Sequence, residues 1–387
     1  MANMLRMSIV LAALLLAFGL PIAQGAVPPG LSAGPDGRVY HEGKPYRGVG
    51  ANYYDLFGRL LHEPTNTSSL VGLKKLAQAG IPFVRFSASG FSASEWGLYL
   101  TNKAEYFRRM DKVVRAAERV KMGLIPSLFW TQIQPDLVGE TRDQWGQPGS
   151  KTIAFMRRYV AEVVERYKDS PALWAWEFGN EVNLSVDLPN AAQFRKKGGT
   201  ERDDLRAAHL VVMMTEFARE VRRHDPHRLI ISGNSHPRAS AWHNSAEKSW
   251  KADTREQTLE ILRRDNPAPL DTIGIHIYGD HPVSKEMAAW ATNHLDYLLA
   301  VKGLAREMKR PIFIGEFGVT EQPDPKATRA GFEQLFSAME QAEVDLAAFW
   351  VYDFKHQDKK WNVTFENERS YVLQLTAEAN KKMTNVK

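Results

Sequence analysis

Leu-Trp-Ala-Trp-Glu-Phe-Gly-Asn-Glu-Val-Asn, residues 173–183, is an apolar, aromatic-rich run that stops abruptly at Asn180 and Glu181. A short run of this kind ending in a polar cluster reads as a buried strand that delivers side chains to a site. Strand alternation puts Trp174, Trp176 and Phe178 on one face and Ala175, Glu177, Gly179 and Glu181 on the other. A second run, Pro-Ile-Phe-Ile-Gly-Glu-Phe-Gly at 311–318, places Ile312, Ile314 and Glu316 on a common face. Two buried strands, each ending in a glutamate, predict a site with paired carboxyl groups.

Outward from these two runs the same alternation extends over most of the chain. Strand patterns fall at 46–52, 82–86, 123–129, 173–178, 228–232, 272–277, 311–315 and 345–351. Helical patterns follow them at about 68–79, 103–120, 151–168, 201–224, 254–264, 285–309, 326–341 and 369–381. Strict strand-helix alternation implies parallel strands with crossover helices, and eight such units close a barrel. The expected fold is α/β, a single (β/α)8 TIM barrel over 46–387. It is preceded by a tether and a small hairpin around Gly43, residues 26–45.

The first 25 residues have a different character. Arg6 precedes an apolar run from Met7 to Leu20, followed by Pro21 and the small-x-small triplet Ala23-Gln24-Gly25. That is the pattern of a secretory signal peptide, giving a secreted or periplasmic protein with no membrane attachment once the signal is removed. Among 387 residues there is no cysteine, which excludes thiol catalysis and thiolate metal sites. A core of this size needs no disulfide. The formal charge of +5 is spread among interleaved acids and bases, which excludes a dedicated nucleic-acid surface. The expected protein is a monomer without cofactor or metal.

In a barrel, catalytic groups collect at the C-terminal strand ends. Parity then aims Arg85, Asn180, Glu181, His276, Tyr278, Glu316 and Trp350 at one mouth, with Asn52 from the first strand. Two carboxyl groups flanked by such residues suit retaining glycoside hydrolysis, in which one protonates the leaving oxygen and the other attacks the anomeric carbon. Glu316 is the expected nucleophile, kept ionised by Arg85 and hydrogen-bonded by Tyr278. Glu181 is the expected acid/base, its pKa raised by burial and by Glu316. Asn180 would bond the sugar 2-hydroxyl, Trp350 would stack under the ring, and Glu177 would be a structural partner of Arg85.

Trp-Glu-Phe-Gly-Asn-Glu at 176–181, Ile-His-Ile-Tyr at 275–278, Ile-Gly-Glu-Phe-Gly at 314–318 and the Trp350 strand together resemble glycoside hydrolase family 5, of the retaining (β/α)8 clan. The resemblance covers nearly all of the chain after the signal. It implies Glu181 as acid/base, Glu316 as nucleophile, and Arg85, Asn180, His276, Tyr278 and Trp350 lining the site. Members it resembles cleave β-1,4-glucans, β-mannans and related β-linked polysaccharides or oligosaccharides. Two departures stand out: the third strand, ending Pro126-Ser-Leu-Phe-Trp130, offers no histidine, and Val182 rather than proline follows Glu181.

Blander readings compete at several positions. Trp130, Trp145, Trp242 and Trp361 are either sugar platforms or packing residues, and His236 and His243 either line the cleft or lie exposed. His276 alone fits a satisfied core histidine, and Asp280, His281 and His276 a metal site. For the whole chain the alternatives are a carbohydrate-binding barrel without catalysis, a transglycosylase using the same residues, and a metal-dependent hydrolase.

Overall fold

The computed structural model describes residues 29–279 and 283–384. The expected signal peptide lies outside them, as do Asp280 and His281. Eight parallel strands form one sheet: β1 (Gly48–Asn52), β2 (Phe83–Ser87), β3 (Gly123–Phe129), β4 (Ala175–Gly179), β5 (Leu229–Ile231), β6 (Ile273–Tyr278), β7 (Ile312–Gly318) and β8 (Leu346–Phe349). Their order is β5-β4-β3-β2-β1-β8-β7-β6, a nearly closed (β/α)8 barrel.

Each strand sorts its side chains by parity. Val49, Val84, Leu124, Trp176, Ile230, Ile275 and Ala347 belong to the outer core, against the helices. Phe83, Ile125, Ala175, Leu229, Phe313 and Leu346 fill the inside of the barrel near the strand starts. The helix Lys103–Val120 shows why the outer layer forms. Tyr106, Met110, Val113 and Ala117 recur at helical spacing on its buried face, and the Asn102 side chain accepts from the Glu105 N–H at 3.1 Å to cap its start.

Several sequence expectations need correction. The stretch expected as a tether holds a strand, Leu31–Ala33, which joins Val39–His41 and Lys44–Pro45 in a three-stranded antiparallel sheet. This sheet covers the N-terminal end of the barrel: the Leu31 N–H donates to the Trp174 carbonyl at 2.8 Å, and Leu31 and Val39 are fully buried. Trp174 leaves the face of Trp176 and Phe178 for the same reason. It precedes the first residue of β4 and packs at this end against the ring of His41, centroids 4.4 Å apart. The helix expected over 285–309 is interrupted; a short turn, Val283–Glu286, precedes a helix that starts only at His294, capped by Asn293. The one expected over 201–224 splits into a 3-10 turn, Glu201–Asp203, and a helix, Ala207–His224.

The most consequential correction is in β7. Ile312 and Ile314 pack outward, whereas Glu316 points into the barrel, so the three do not share a face. Pairing with β6 skips from Ile314 to Glu316, making Gly315 a bulge that reverses the parity. The Gly315 carbonyl, turned out of the ladder, accepts from Asn52 Nδ2 at 2.8 Å.

β5 and β6 end the sheet order and share no strand ladder. A side chain bridges them instead. The Oδ1 atom of Asn266, itself fully buried, accepts from Ser232 Oγ at 2.8 Å and from the Gly274 N–H at 3.1 Å.

Candidate active site

Arg85, on β2, is fully buried and organises the strand ends around it. Its Nε donates to both oxygens of Glu177 at 2.8 and 2.9 Å, and its Nη1 to Asn52 Oδ1 at 2.9 Å and Glu316 Oε1 at 2.8 Å. Its Nη2 donates to Asn180 Oδ1 at 2.8 Å. That bond fixes the Asn180 amide with its NH2 group turned away from the arginine. The indole of Trp130 lies over the guanidinium, 4.6 Å from ring centre to Cζ.

Glu316 accepts from two donors. Arg85 serves Oε1, and the Tyr278 hydroxyl donates to Oε2. Burial, reinforced by the Glu316 charge, pushes the Tyr278 hydroxyl well above its ordinary pKa, so it remains a donor.

Glu181 comes from a turn and not from β4 itself. It lies two residues past the strand in the left-handed region, φ +50°, and its N–H donates to the Gly233 carbonyl at 2.8 Å. Gly233 must be glycine: its φ is +71°, and a Cβ there would lie 1.9 Å from the Gly179 carbonyl oxygen. The Glu181 side chain remains 29% exposed to the cleft, yet burial raises its pKa above the usual carboxylate value. The following turn is held by a reciprocal amide pair: Asn183 Nδ2 donates to the Ser235 carbonyl at 2.9 Å and the Ser235 N–H to Asn183 Oδ1 at 3.0 Å.

His276 joins the two acids. Its Nδ1 lies 3.0 Å from Glu181 Oε1 and 3.6 Å from Glu316 Oε2. Burial drives its pKa down to about 3, so the imidazole is neutral. It can donate to an ionised Glu181 or accept from a protonated one. One oxygen each of Glu181 and Glu316, with His276, lie within 4.8 Å of one another. These three are the group among the described residues that could hold a metal ion. Glu316 already takes Arg85 and Tyr278 on its oxygens, so a cation would sit beside a fixed positive charge.

A cleft of about 500 Å³ opens above this cluster, lined by Asn180, Glu181, Tyr278, Glu316, Trp130 and Trp350. The Trp350 indole donates to Gln357 Oε1 at 2.8 Å and lies 6.0 Å from the Trp130 ring at an interplanar angle of 25°. Arg85, Asn52 and His276 lie beneath this floor, fully buried. His236 stands behind it, its Nδ1 2.8 Å from the His276 carbonyl oxygen, and is not among the residues lining the cleft. Of the other tryptophans weighed, Trp361 lines the cleft against Tyr278, centroids 4.8 Å apart. Trp145 is fully buried between Phe129 and Phe178, a core residue. Trp242 bonds Glu260, and His243 is buried against Asp253 at 2.8 Å. Sequence reasoning missed Tyr54, Phe91, Phe354 and Gln357, which also line the cleft. Tyr54, two residues beyond Asn52 at the end of β1, carried the same positional signal.

Comparisons with known proteins agree with this geometry. A family model described as cellulase, glycosyl hydrolase family 5, matches residues 49–356. A probable mannan endo-1,4-beta-mannosidase C of Aspergillus terreus is 27% identical over 51% of this chain, a match spanning about half, 53%, of the fungal protein. Mannan endo-1,4-beta-mannosidase 8 of Oryza sativa subsp. japonica is 25% identical over 73% of this chain and 78% of that protein. In fold, an endo-1,4-beta-mannanase structure from Rhizomucor miehei superposes with TM-score 0.65 at 14% identity, covering 92% of this chain and 99% of that one. With the family model matching most of the chain and the barrel carrying two glutamates at its rim, the chain belongs to glycosyl hydrolase family 5, a family of O-glycosyl hydrolases.

Proposed function

We propose that the protein is an exported, retaining, endo-acting hydrolase of β-mannan or a related β-1,4-glycan. The observation that carries this reading is the pair Glu181 and Glu316, with carboxyl oxygens within 4.8 Å and with different partners. Carboxyl groups this close suit a covalent intermediate; inverting enzymes hold theirs ~6.5–9.5 Å apart to admit water between them.

Glu316, oriented by Arg85 and Tyr278, attacks the anomeric carbon. The bond to the leaving oxygen breaks as Glu181 gives that oxygen its proton, and a glycosyl ester on Glu316 forms. Glu181, now a base, takes a proton from water, which attacks the same carbon and frees Glu316. The raised pKa of Glu181 suits the first step. His276, neutral and 3.0 Å away, supports either protonation state of Glu181. Asn180 presents its NH2 group to the 2-hydroxyl, and Trp350 stacks on the sugar face with Trp130 beside it. The names of the relatives favour mannan among the β-1,4-glycans.

Residues 1–25 act as the export signal, 26–45 lead into the barrel, and 46–387 form the catalytic domain of a monomer. The decisive experiment is hydrolysis of β-mannan, glucomannan and β-1,4-glucan by the purified protein, with Glu316→Ala and Glu181→Ala beside it. Hydrolysis lost in Glu316→Ala with the fold intact is expected; normal activity in either variant would overturn the assignment.

A further inference from the structure

Asn52 ends β1 on the inner face of the barrel, yet it is not among the residues lining the cleft, and it is fully buried beneath the floor. Its backbone is held on both sides. The Tyr53 N–H donates to the Arg85 carbonyl at 2.8 Å, and the Tyr352 N–H donates to the Asn52 carbonyl at 2.8 Å. The side chain therefore starts from a fixed position.

The two ends of that side chain do different things. Oδ1 accepts from Arg85 Nη1 at 2.9 Å. Since an arginine only donates, this end of the amide is the oxygen, and the NH2 group turns the other way. There it meets carbonyl oxygens: Gly315 at 2.8 Å, and Ala348 and Phe349 at 3.3 Å each. An acceptor facing a cation and a donor facing carbonyls is a combination that neither leucine nor an ionised aspartate, both of nearly the same shape, reproduces.

The Gly315 carbonyl belongs to the residue before Glu316. In the sheet order β8 stands between β1 and β7, so Asn52 reaches past one strand to bond the next. Pairing with β6 skips Gly315, and pairing with β8 shifts between Ile314 and Phe317. A buried carbonyl turned out of a ladder that is interrupted on both sides needs a donor from elsewhere, and Asn52 supplies it. The Arg85 Nη1 that donates to Asn52 also donates to Glu316 Oε1 at 2.8 Å. One amide thus grips the peptide behind the expected nucleophile and, through the arginine, its carboxylate.

We propose that Asn52 is a positioning residue for nucleophilic attack: it holds the bulge at Gly315 in the conformation that aims Glu316 at the anomeric carbon, and it contacts no sugar. The assignment rests on the two-glutamate reaction above. It gives Asn52 a part in alignment, where strand parity alone had aimed it at the substrate.

The test separates attack from binding. Wild type, Asn52→Leu and Asn52→Ser are treated with a dinitrophenyl β-mannobioside or β-cellobioside, whichever parent sugar the wild type hydrolyses faster, carrying fluorine in place of the 2-hydroxyl beside the scissile bond. Glu316 forms an ester with the anomeric carbon, and dinitrophenolate leaves with the electron pair of the broken bond. The fluorine slows hydrolysis of that ester, so it accumulates. The saturating rate constant of labelling reports alignment, the half-saturating concentration reports binding, and peptide mass locates the ester. Asn52→Leu should lower the rate constant by about tenfold to a hundredfold, the upper figure being the cost of a ~1 Å misplacement, with half-saturation within about twofold of wild type. Asn52→Ser, whose shorter hydroxyl cannot serve Arg85 and Gly315 together, should fall between, and it carries the same readouts if the leucine variant does not fold. All rates are taken well below each variant's unfolding temperature. An unchanged rate constant would overturn the proposal, leaving Asn52 a stability residue only; so would a change confined to half-saturation, which would make it a sugar contact. In the wild type, an ester on a residue other than Glu316, or no ester, would sink the two-glutamate reading itself and the proposal with it.

Discussion

The Nε2 atom of His276 stands 2.7 Å from the position that a Cβ on Gly315 would occupy. The bulge that turns Glu316 into the barrel therefore leaves no room for any other residue at 315, and the histidine that contacts both acids is the neighbour it would displace. Gly315→Ala should destabilise by ~1–3 kcal/mol, the usual cost of overpacking, and should lower kcat more than it changes KM as the ring is pushed off Glu181. Thermal unfolding and steady-state kinetics check both parts. Gly303→Ala, on an open helix surface with nothing within 4 Å, is the control and should stabilise by ~0.5–1 kcal/mol.

Arg85 holds four strand ends through a single buried guanidinium. Arg85→Ala leaves Glu177 buried without its partner and should cost ~3–5 kcal/mol, read as a lower denaturant midpoint. Arg85→Lys should rescue little, because one ammonium cannot reach Glu177, Asn52, Glu316 and Asn180 together.

The raised pKa of Glu181 fixes the sign of the pH profile. As the acid it must carry a proton, so kcat/KM should decline on the alkaline side as Glu181 ionises, at a pH above that of an ordinary glutamate. Glu181→Gln removes that group. On an aryl glycoside with a good leaving group, which needs no acid to depart, the alkaline decline should disappear from the glycosylation step. A decline unchanged in the variant would assign it to another group.

The same shift has a stability consequence of defined direction. A carboxyl group whose folded pKa lies above its unfolded value contributes stability below the unfolded value and loses it as pH rises through the folded one. Glu181→Gln should therefore raise the unfolding temperature relative to wild type more at pH 7 than at pH 4.

Particular residues show how far the chain was legible before folding. His276 and Tyr278 followed from period-two alternation, because β6 is regular from Ile273 to Tyr278. Glu316 came out on the correct side for the wrong reason, since parity with Ile312 and Ile314 ignores the bulge at Gly315. Glu181 owes its direction to a left-handed residue after the strand, which alternation does not describe. The strand at Leu31–Ala33 was hidden by its proline- and glycine-rich setting; its pairing is with residues beyond the turn, and Leu31 is buried against the barrel floor. Phe91 reaches the cleft from a loop, where no period exists to be read.

The Asn266 bridge between β5 and β6 makes the barrel a belt fastened at one point by a clasp. Elsewhere, neighbouring strands would have to give up a ladder of amide-to-carbonyl bonds to part; here the two ends are held by the Asn266 amide oxygen, by the Asp271 N–H donating to the Ile230 carbonyl at 3.0 Å and by His236 against the His276 carbonyl. Amide-proton exchange at Gly274 should accordingly outpace that at Val84 in the opposite wall, and replacing Asn266 with alanine should loosen the Ser235–His236 support behind Glu181 before it melts the whole ring.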